Sequence, residues 1–390
     1  MAKLVSLLSL FYRSTLCVIP LICIPHVYAE PWHLGFVVEY YELAHYYGSD
    51  SVQRDLPGTD CPQGTNPDND WPTILTTPYR TRAEAIAALD PERVDERTRG
   101  PNGYSLYYNR GPNRENVYDN PTVLPDPGMY EVEGDIAFGF NLDGDESTGF
   151  TGVNGVPGVD NAFYKSSGCV LRFRGQPREA GTGKNSNDSM HDGAFTIVML
   201  LSGNESPMND SNAKLGFYLS KDDMVKDANG DIAADYSFRI DPDTRFQDVS
   251  SVRIKDGIVT NISPETLTLR DFYAPAFYPK ELVLEQSQFQ FELKPDGSLF
   301  GYMGGYRDWR EHYRGTAGNG RSAVGAIHEV VGKINLPAWW YSLRRNADGL
   351  PDPETGEMRG ISTTYAITAL PAFVISPNGQ HEQALAQSIR

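Results

Sequence analysis

One acidic loop carries the side chains best suited to chemistry in this chain. Asn141, Asp143, Asp145 and Ser147 stand at alternate positions and all carry side-chain oxygens. Calcium takes about six to eight oxygen ligands, and alternate side chains of an acidic turn can converge on one ion. Asp160 completes such a site if the loop folds back. The sequence therefore predicts a calcium site formed by Asn141, Asp143, Asp145, Ser147 and Asp160.

The same loop differs from an EF-hand in two positions. Glu146 stands where that motif needs a glycine for its sharp turn, and Gly152 stands where it needs a bidentate glutamate. Asp and Gly also build solvated turns without any metal, so a plain acidic turn is the alternative. A second acidic loop at Asp227–Asp231 is a weaker candidate, because Lys226 would oppose a cation there.

Aromatic residues supply the second candidate site. The chain has 22 Tyr, 17 Phe and 5 Trp, and flat aromatic faces can stack on ligand rings while their polar edges stay wet. Aromatic side chains also fill cores, which is the alternative interpretation. The predicted ligand platform consists of Tyr302, Tyr306, Trp309, Trp339 and Trp340.

No segment carries a strong catalytic signature. His328–Glu329 lacks the second histidine of a zincin, and Ser322 lies in a segment one residue too long for a nucleophile elbow. P-loop, dinucleotide-binding and haem-attachment motifs do not occur in the sequence. The 51 acidic residues allow many carboxylate pairs of the kind that a glycosidase uses, but the sequence assigns none of them.

Short strands separated by turns must position these side chains. Between about 129 and 302, apolar and alternating stretches follow one another without intervening helices. The clearest hairpin joins Gln288–Leu293 to Leu299–Tyr302 through Pro295–Gly297. Such a pattern indicates an antiparallel architecture. We therefore predict a mainly β fold with an antiparallel β-sandwich or jelly-roll-like core, and a few short helices near the C-terminus.

The composition divides the chain into four segments. Residues 1–29 are predicted as a cleaved signal peptide, and 30–127 as an irregular N-terminal region with one short helix. Residues 128–305 are predicted as the β-sandwich-like domain, and 306–390 as a mixed α/β region that packs on it. Thr81 and Glu84 have the spacing of a capping box at the start of the N-terminal helix.

The first 29 residues are typical of a secretion signal. Lys3 gives a basic start, apolar residues come next, and Val27 and Ala29 are small enough for a signal peptidase. Arg13 interrupts the apolar run, and the apolar stretch after it is shorter than the roughly 20 residues that a spanning helix needs. The sequence therefore predicts an exported protein, periplasmic or extracellular, without a transmembrane anchor after cleavage.

Cleavage would leave two of the four cysteines. Cys17 and Cys23 belong to the signal, and Cys61 and Cys169 remain. In an oxidising compartment two cysteines most simply form one disulfide.

The mature chain is strongly acidic. Removal of Lys3 and Arg13 takes the formal charge from −17 to −19. Such a charge repels nucleic acid and attracts cations, so we expect no nucleic-acid partner.

Three loop segments are similar to segments of uncharacterised exported bacterial proteins that have no assigned function. They are Gly155–Asn161, Gly301–Tyr306 and Ala347–Pro353. The resemblance covers a small part of the chain, and it implies export without implying any chemistry.

Together these features predict an exported, non-catalytic binding or assembly protein with calcium as a candidate stabilising ion. The alternative is a secreted hydrolase, a carbohydrate-active one with paired carboxylates. A hydrolase should show a cleft with two carboxyl groups about 5–10 Å apart and a raised pKa. A structural partner of an outer-membrane complex would instead present a broad apolar patch.

Overall fold

Eight antiparallel strands close into a barrel in the computed structural model of this chain, which describes residues 31–46, 59–66, 71–90, 105–174, 181–273, 278–332 and 334–376. Each strand pairs with the next around the barrel, and the first pairs with the last. In spatial order the barrel strands are β1 (Trp32–Leu43), β4 (Ile197–Gly203), β5 (Asp210–Leu219), β7 (Gln247–Lys255), β8 (Ile258–Asn261), β10 (Tyr278–Leu293), β11 (Leu299–Asp308) and β13 (Met358–Ile375).

Additional strands extend or flank this barrel. β9 (Glu265–Tyr273) pairs with the first half of β10, so β8 and β9 lie one after the other along that long strand. β12 (Gly349–Pro351) pairs with β13, and β6 (Ser237–Arg239) pairs in parallel with its end. β2 (Ile136–Ala137) and β3 (Thr151–Gly152) form a separate parallel pair.

The predicted β-sandwich or jelly-roll core is wrong, because the sheet closes on itself. β1 pairs with β4 on one side, where Phe36 faces Met199, and with β13 on the other, where Val37 faces Leu370. A sandwich would leave open sheet edges, whereas this strand joins the two ends of the sheet. The segments 30–127, 128–305 and 306–390 each contribute strands to the barrel.

The barrel interior is filled with apolar side chains. Large residues from several strands pack there with almost no exposure, among them Phe36, Met199, Phe217, Phe291 and Ile367. An eight-stranded barrel encloses a space just wide enough for its own side chains. Each such buried side chain contributes about 1.5–3 kcal/mol, so most of the barrel interior is a core and not a ligand cavity.

Helices form a second, smaller core on the outside of the barrel. In chain order the helices of the described residues are α1 (Trp71–Leu75), α2 (Arg82–Ala88), α3 (Ser105–Tyr108), α4 (Ala162–Ser167), α5 (Gly181–His191), α6 (Trp309–Ala317), α7 (Ser322–Gly332) and α8 (Leu336–Asn346). Side chains of α4, α6, α7 and α8 pack around Trp339 and Leu343 in this core. None of the described helices combines the length and the apolar character that crossing a bilayer would require.

The predicted disulfide between Cys61 and Cys169 is confirmed. It joins an N-terminal loop to the residues that come after α4, and it lies beside a buried ion pair in which Arg174 Nη1 contacts Asp60 Oδ2 at 2.7 Å. In the chain-entropy model a bridge with a sequence separation of 108 residues stabilises the fold by roughly 4–5 kcal/mol. The predicted signal peptide lies outside the described residues.

Candidate functional site

The predicted calcium loop is an exposed turn whose side chains accept hydrogen bonds from its own backbone. Asp143 Oδ1 accepts from the N–H of Asp145 at 2.7 Å, and Asp145 Oδ1 accepts from the N–H of Ser147 at 2.8 Å. Asn141 Oδ1 makes the same kind of bond at 2.6 Å. Asp160 lies against the turn, and its Oδ2 accepts from two of the turn's N–H groups at 2.7 and 3.2 Å.

The carboxylates at this loop repel one another, and a bound cation would relieve that repulsion. The pKa of Asp160 is raised by burial and by the charges of Asp143 and Asp145. However, no group of three or more His, Cys, Asp or Glu residues is arranged to hold a metal ion within the described residues. Calcium binding at this loop therefore stays a prediction.

The five residues of the predicted aromatic platform do not share one surface. Trp339 is fully buried in the helical core, and Tyr306 and Trp309 are also buried. Tyr302 lies on β11 with its ring stacked on another aromatic ring at 5.0 Å. Trp309 and Trp340 do meet, edge to face at 5.4 Å, and both line a surface groove of about 320 Å³.

A different site emerges at one end of the barrel, where the inward rows of side chains change from apolar to polar. Alternate residues of a strand face the same side of the sheet, so each inward row can be traced along its strand. The rows run Leu267, Leu269, Asp271 on β9; Leu284, Leu282, Lys280 on β10; Met303, Gly305, Arg307 on β11; and Ala369, Ile367, Tyr365 on β13.

A β-bulge adds Tyr41 to this group. The register of β1 against β13 shifts between Val38 and Tyr40. Val38 lies opposite Ala369, and Tyr41 lies opposite Ile367. Strict alternation from Val38 would have turned Tyr40 inward, but the extra residue turns Tyr41 inward instead.

The acidic member of the group, Asp271, contacts Lys280 and Tyr41. Lys280 stands directly opposite it in the β9–β10 pairing, and its Nζ lies 2.7 Å from Asp271 Oδ2. The hydroxyl of Tyr41 donates to Asp271 Oδ1. Burial and the charge of Asp271 raise the pKa of Tyr41 well above its usual value, so this hydroxyl stays protonated and remains a donor.

The hydrogen-bond partners of the basic member, Arg307, are neutral side chains. Its Nη1 donates to the hydroxyl oxygen of Tyr365 at 2.7 Å and lies 3.5 Å from Nδ1 of His312 on α6. The His312 ring stacks on Phe163 at 4.3 Å, and its Nε2 is buried without a hydrogen-bond partner in the described part of the chain. Burial and the charges of Arg307 and Lys280 lower the pKa of His312 well below its usual value, so the imidazole is neutral.

These side chains surround a cavity of about 100 Å³ beneath α5 and α6. We call Tyr41, Asp271, Lys280, Arg307, His312 and Tyr365 the barrel-mouth cluster. A groove of about 570 Å³ adjoins the cavity and shares Lys280, Arg307, Glu311 and Gly315 with its lining. The arrangement offers hydrogen-bond donors and a positive charge to a small molecule.

No member of the barrel-mouth cluster is predicted from the sequence as a site residue. The missed signal is a charged residue at an apolar position of a strand, such as Asp271 after Leu267 and Leu269, or Arg307 after Met303 and Gly305. That signal becomes visible once the strand and its inward face are known.

Comparisons with known proteins give no family to which this chain can be assigned. No protein-family model matches it, and searches of curated proteins and of solved structures find no significant match.

Proposed function

We propose that this chain is an exported binding protein that holds a small polar ligand in the barrel-mouth cavity. The observation that carries this proposal is that buried charged side chains from neighbouring strands converge on an open space. Isolated buried charge is unfavourable unless it is paired. Concave sites with a few convergent polar groups are typical ligand sites. We therefore expect these charged groups to bind a ligand in the cavity.

The confirmed disulfide supports the export part of the proposal. Disulfides form and persist in oxidising compartments such as the periplasm or the cell exterior. The Cys61–Cys169 bridge is buried, which fits a permanent structural bond. The acidity of the chain fits the same proposal, because it favours solubility over binding to nucleic acid.

The contacts of the carboxylates favour binding over hydrolysis. Both oxygens of Asp271 already have partners in Lys280 and Tyr41. Elsewhere, burial raises the pKa of Asp348 to about 6, yet its two oxygens accept from the N–H of Ser362 at 2.8 Å and from the hydroxyl of the same residue at 2.5 Å. These carboxylates have structural partners, and the hydrolase alternative stays a prediction.

Calorimetry and thermal unfolding of the mature, oxidised protein test the proposal. The panel contains small carboxylic acids, phosphate esters, neutral sugars and polyamines. A ligand that binds only the folded state at a hundredfold excess over its Kd stabilises it by about 2.7 kcal/mol. We expect at least one member to bind with a measurable Kd and to raise the unfolding midpoint.

A matched pair of variants on α5 locates the binding site. Asn185 lines the cavity, whereas Asp188 lies one turn further along the same helix and is exposed. Asn185→Phe should fill the cavity and weaken binding at least about tenfold, as expected when steric blockage removes about 1.4 kcal/mol or more. Asp188→Phe should leave the Kd unchanged. Equal binding by both variants, or no binding by any member of the panel, would refute the proposal.

Calcium enters the proposal as a stabilising ion of the acidic loop. The raised pKa of Asp160 supports it, because a bound cation would remove the repulsion from Asp143 and Asp145.

A further inference from the structure

The charge of Arg307 is not balanced within the barrel-mouth cluster. The residue is 8% exposed, and its hydrogen-bond partners in the described part of the chain are the Tyr365 hydroxyl and the His312 ring. No carboxylate within 4.0 Å pairs with it among those residues. A buried guanidinium without a carboxylate is costly, so the fold keeps a cation here that a bound anion would neutralise.

Two of the other charged side chains that line the cavity pair with each other. Lys280 pairs with Asp271 at 2.7 Å. Arg172 and Glu42, which are also in the cavity lining, carry opposite charges. Glu311 is exposed and pairs with Arg314 at 2.7 Å, outside the buried part of the site. Arg307 is therefore a cation of the lining that has no carboxylate contact among the described residues, and the single carboxylate of a monoanion is enough to pair with it.

The shape of the site limits the part of the ligand that enters it. A cavity of about 100 Å³ is smaller than the ~150 Å³ cavity that holds a benzene molecule, so it accommodates a group of about four non-hydrogen atoms. A carboxylate with its α-carbon has that size. Its planar pair of oxygens also suits the N–H groups of a guanidinium, which arginine presents in a rigid fork.

The residues that line the adjoining groove indicate the polarity of the part of the ligand that lies outside the cavity. Its lining is dominated by polar and charged side chains, including Arg245, Arg270, Glu285 and Asp308, with Val283 as the apolar contribution. Such side chains provide hydrogen-bond partners for the hydroxyl groups of a ligand, which an alkyl chain could not use.

We infer that the ligand is a polar organic monocarboxylate, such as a sugar acid, whose carboxylate pairs with Arg307 and whose hydroxylated body lies in the adjoining groove. This inference rests on the proposed binding function and names the class of ligand. Tyr365 positions the guanidinium through its hydroxyl, and the neutral His312 lies beside it with Nε2 unpartnered within the described residues.

Titration calorimetry of the wild-type protein at pH 7 tests the inference without any mutation. The probes are D-glucuronate, D-gluconate and lactate. Their comparators are D-glucuronamide, which replaces the carboxylate with an uncharged amide, glucose 6-phosphate, which is a dianion, and hexanoate, which lacks the hydroxyl groups. We expect at least one sugar acid to bind, and its amide, phosphate and alkyl comparators to bind at least about tenfold more weakly.

Variants of Arg307 then test the contact itself. Arg307→Gln should weaken binding of the sugar acid at least about thirtyfold, since truncating a buried charge pair has a large effect. Arg307→Lys should give an intermediate loss, because it keeps the charge but not the fork. The control Arg253→Gln removes an exposed arginine from the outer face of β7 and should change the Kd by less than about twofold. Circular dichroism confirms that each variant is folded.

The outcomes separate the inference from the function on which it rests. Equal binding of glucuronate and glucuronamide, or an unchanged Kd in Arg307→Gln, overturns the carboxylate contact and leaves a binding protein. Tight binding of hexanoate overturns the polar body of the ligand. Binding in the cavity by another class of the panel, with no binding of the three acids, also overturns the inference. No binding by any compound overturns the proposed function as well.

Discussion

Two buried charge clusters in this protein contain the same residue types but differ in how the charge of their arginine is balanced. In the first, which we call the Glu329 cluster, Arg110 Nη2 contacts both carboxylate oxygens of Glu329 at 2.9 Å. The hydroxyl of Tyr118 and the N–H of Leu336 donate to the same carboxylate at 2.7 and 3.0 Å. In the barrel-mouth cluster, Arg307 has a tyrosine and a histidine beside it and no carboxylate in the described part of the chain.

Arg110 and Arg307 are both buried, so burial alone does not distinguish the two clusters. Arg110 and Glu329 tie α7 to the segment between α3 and α4 and satisfy each other, so their contribution is structural. Arg307 lines a cavity, and its charge has no carboxylate partner among the described residues. The unbalanced charge beside a cavity, and not burial alone, is the feature that favours a bound ligand.

Breaking the Glu329 cluster should have the greatest effect on stability. Glu329→Gln keeps the side-chain volume but leaves the buried Arg110 without its counter-charge. Breaking a buried pair in this way costs about 3–5 kcal/mol. Urea unfolding at pH 7 measures the loss. The matched control is Glu311→Gln, which removes an exposed carboxylate paired with Arg314 and should change the free energy of unfolding by less than about 1 kcal/mol. A loss below about 1 kcal/mol for Glu329→Gln would contradict the structural role.

The next largest effect is a pH dependence of the free energy of unfolding, which arises from His328 beside the Glu329 cluster. Burial first, and then Arg172, lowers the pKa of His328 to about 3. At pH 7 the imidazole is neutral in the folded chain and mostly neutral in the unfolded chain. As pH falls below about 6.5 the unfolded chain gains a proton that the folded chain does not, so this residue reduces stability by about 1.4 kcal/mol per pH unit.

His328→Gln tests that sign and slope. The variant should lose about 2 kcal/mol less stability than the wild type when pH is lowered from about 6.5 to about 5. Urea unfolding at each pH provides both free energies. Asp348, whose pKa is raised to about 6, contributes with the opposite sign, but it is present in both proteins and cancels in the difference. Parallel pH profiles would show that His328 protonates while the protein is folded.

A smaller effect is expected at Arg307, in contrast to Glu329. Arg307→Gln removes a charge that has no carboxylate partner among the described residues. We expect the free energy of unfolding without ligand to stay within about 1 kcal/mol of the wild type, or to rise, because binding residues are commonly held at some expense of stability. Urea unfolding gives the value. A loss comparable to that of Glu329→Gln would mean that the two clusters do not differ in kind.

Calcium at the acidic loop should have the least effect on stability. At millimolar calcium, an extracellular-type site with a Kd of about 10⁻⁴–10⁻³ M would add about 0.4–1.4 kcal/mol. Thermal unfolding with calcium and with magnesium measures the shift, and the double variant Asp143→Ala, Asp145→Ala should abolish it. Equal shifts with both ions, or none, would leave the loop as a hydrogen-bonded turn.

Local features of the fold could be predicted from the sequence. Thr81 and Glu84 form the predicted capping box at the start of α2. The hairpin between β10 and β11 is also confirmed, with Leu293 opposite Leu299. Both arise from interactions between residues that are close together in the chain, so the local sequence pattern is enough to predict them.

The closure of the barrel could not be predicted in the same way. Sandwiches and barrels share short alternating strands, and they differ in whether two distant strands pair. The alternating stretch at 130–140 is typical of one long strand, but only Ile136–Ala137 is a strand there. Beyond it, hydrogen bonds within the acidic turn replace strand pairing, as between Asn141 and the N–H of Gly144.

Prediction of the barrel-mouth cluster would have needed even more information about contacts between residues far apart in the chain. Asp271 and Lys280 meet because β9 and β10 pair in one register. Tyr41 joins them because of a β-bulge in β1, and no residue type in that strand predicts the bulge. The predicted aromatic platform illustrates the converse. Its members are close in sequence, but Trp339 lies in a core and Trp340 at a groove, because neighbouring residues on a helix point in different directions.

The pairing of β1 with β13 also governs how this chain must reach its native state. Gly35 is opposite Ala372, so the last seam of the barrel joins residues from opposite ends of the described chain. Folds dominated by such distant pairings fold slowly. Until β13 is in place, β1 and β11 expose unpaired edges that invite association with other chains. A ribosome-bound chain that ends before Met358 therefore has no closed barrel to form, and folding must await the completion of β13.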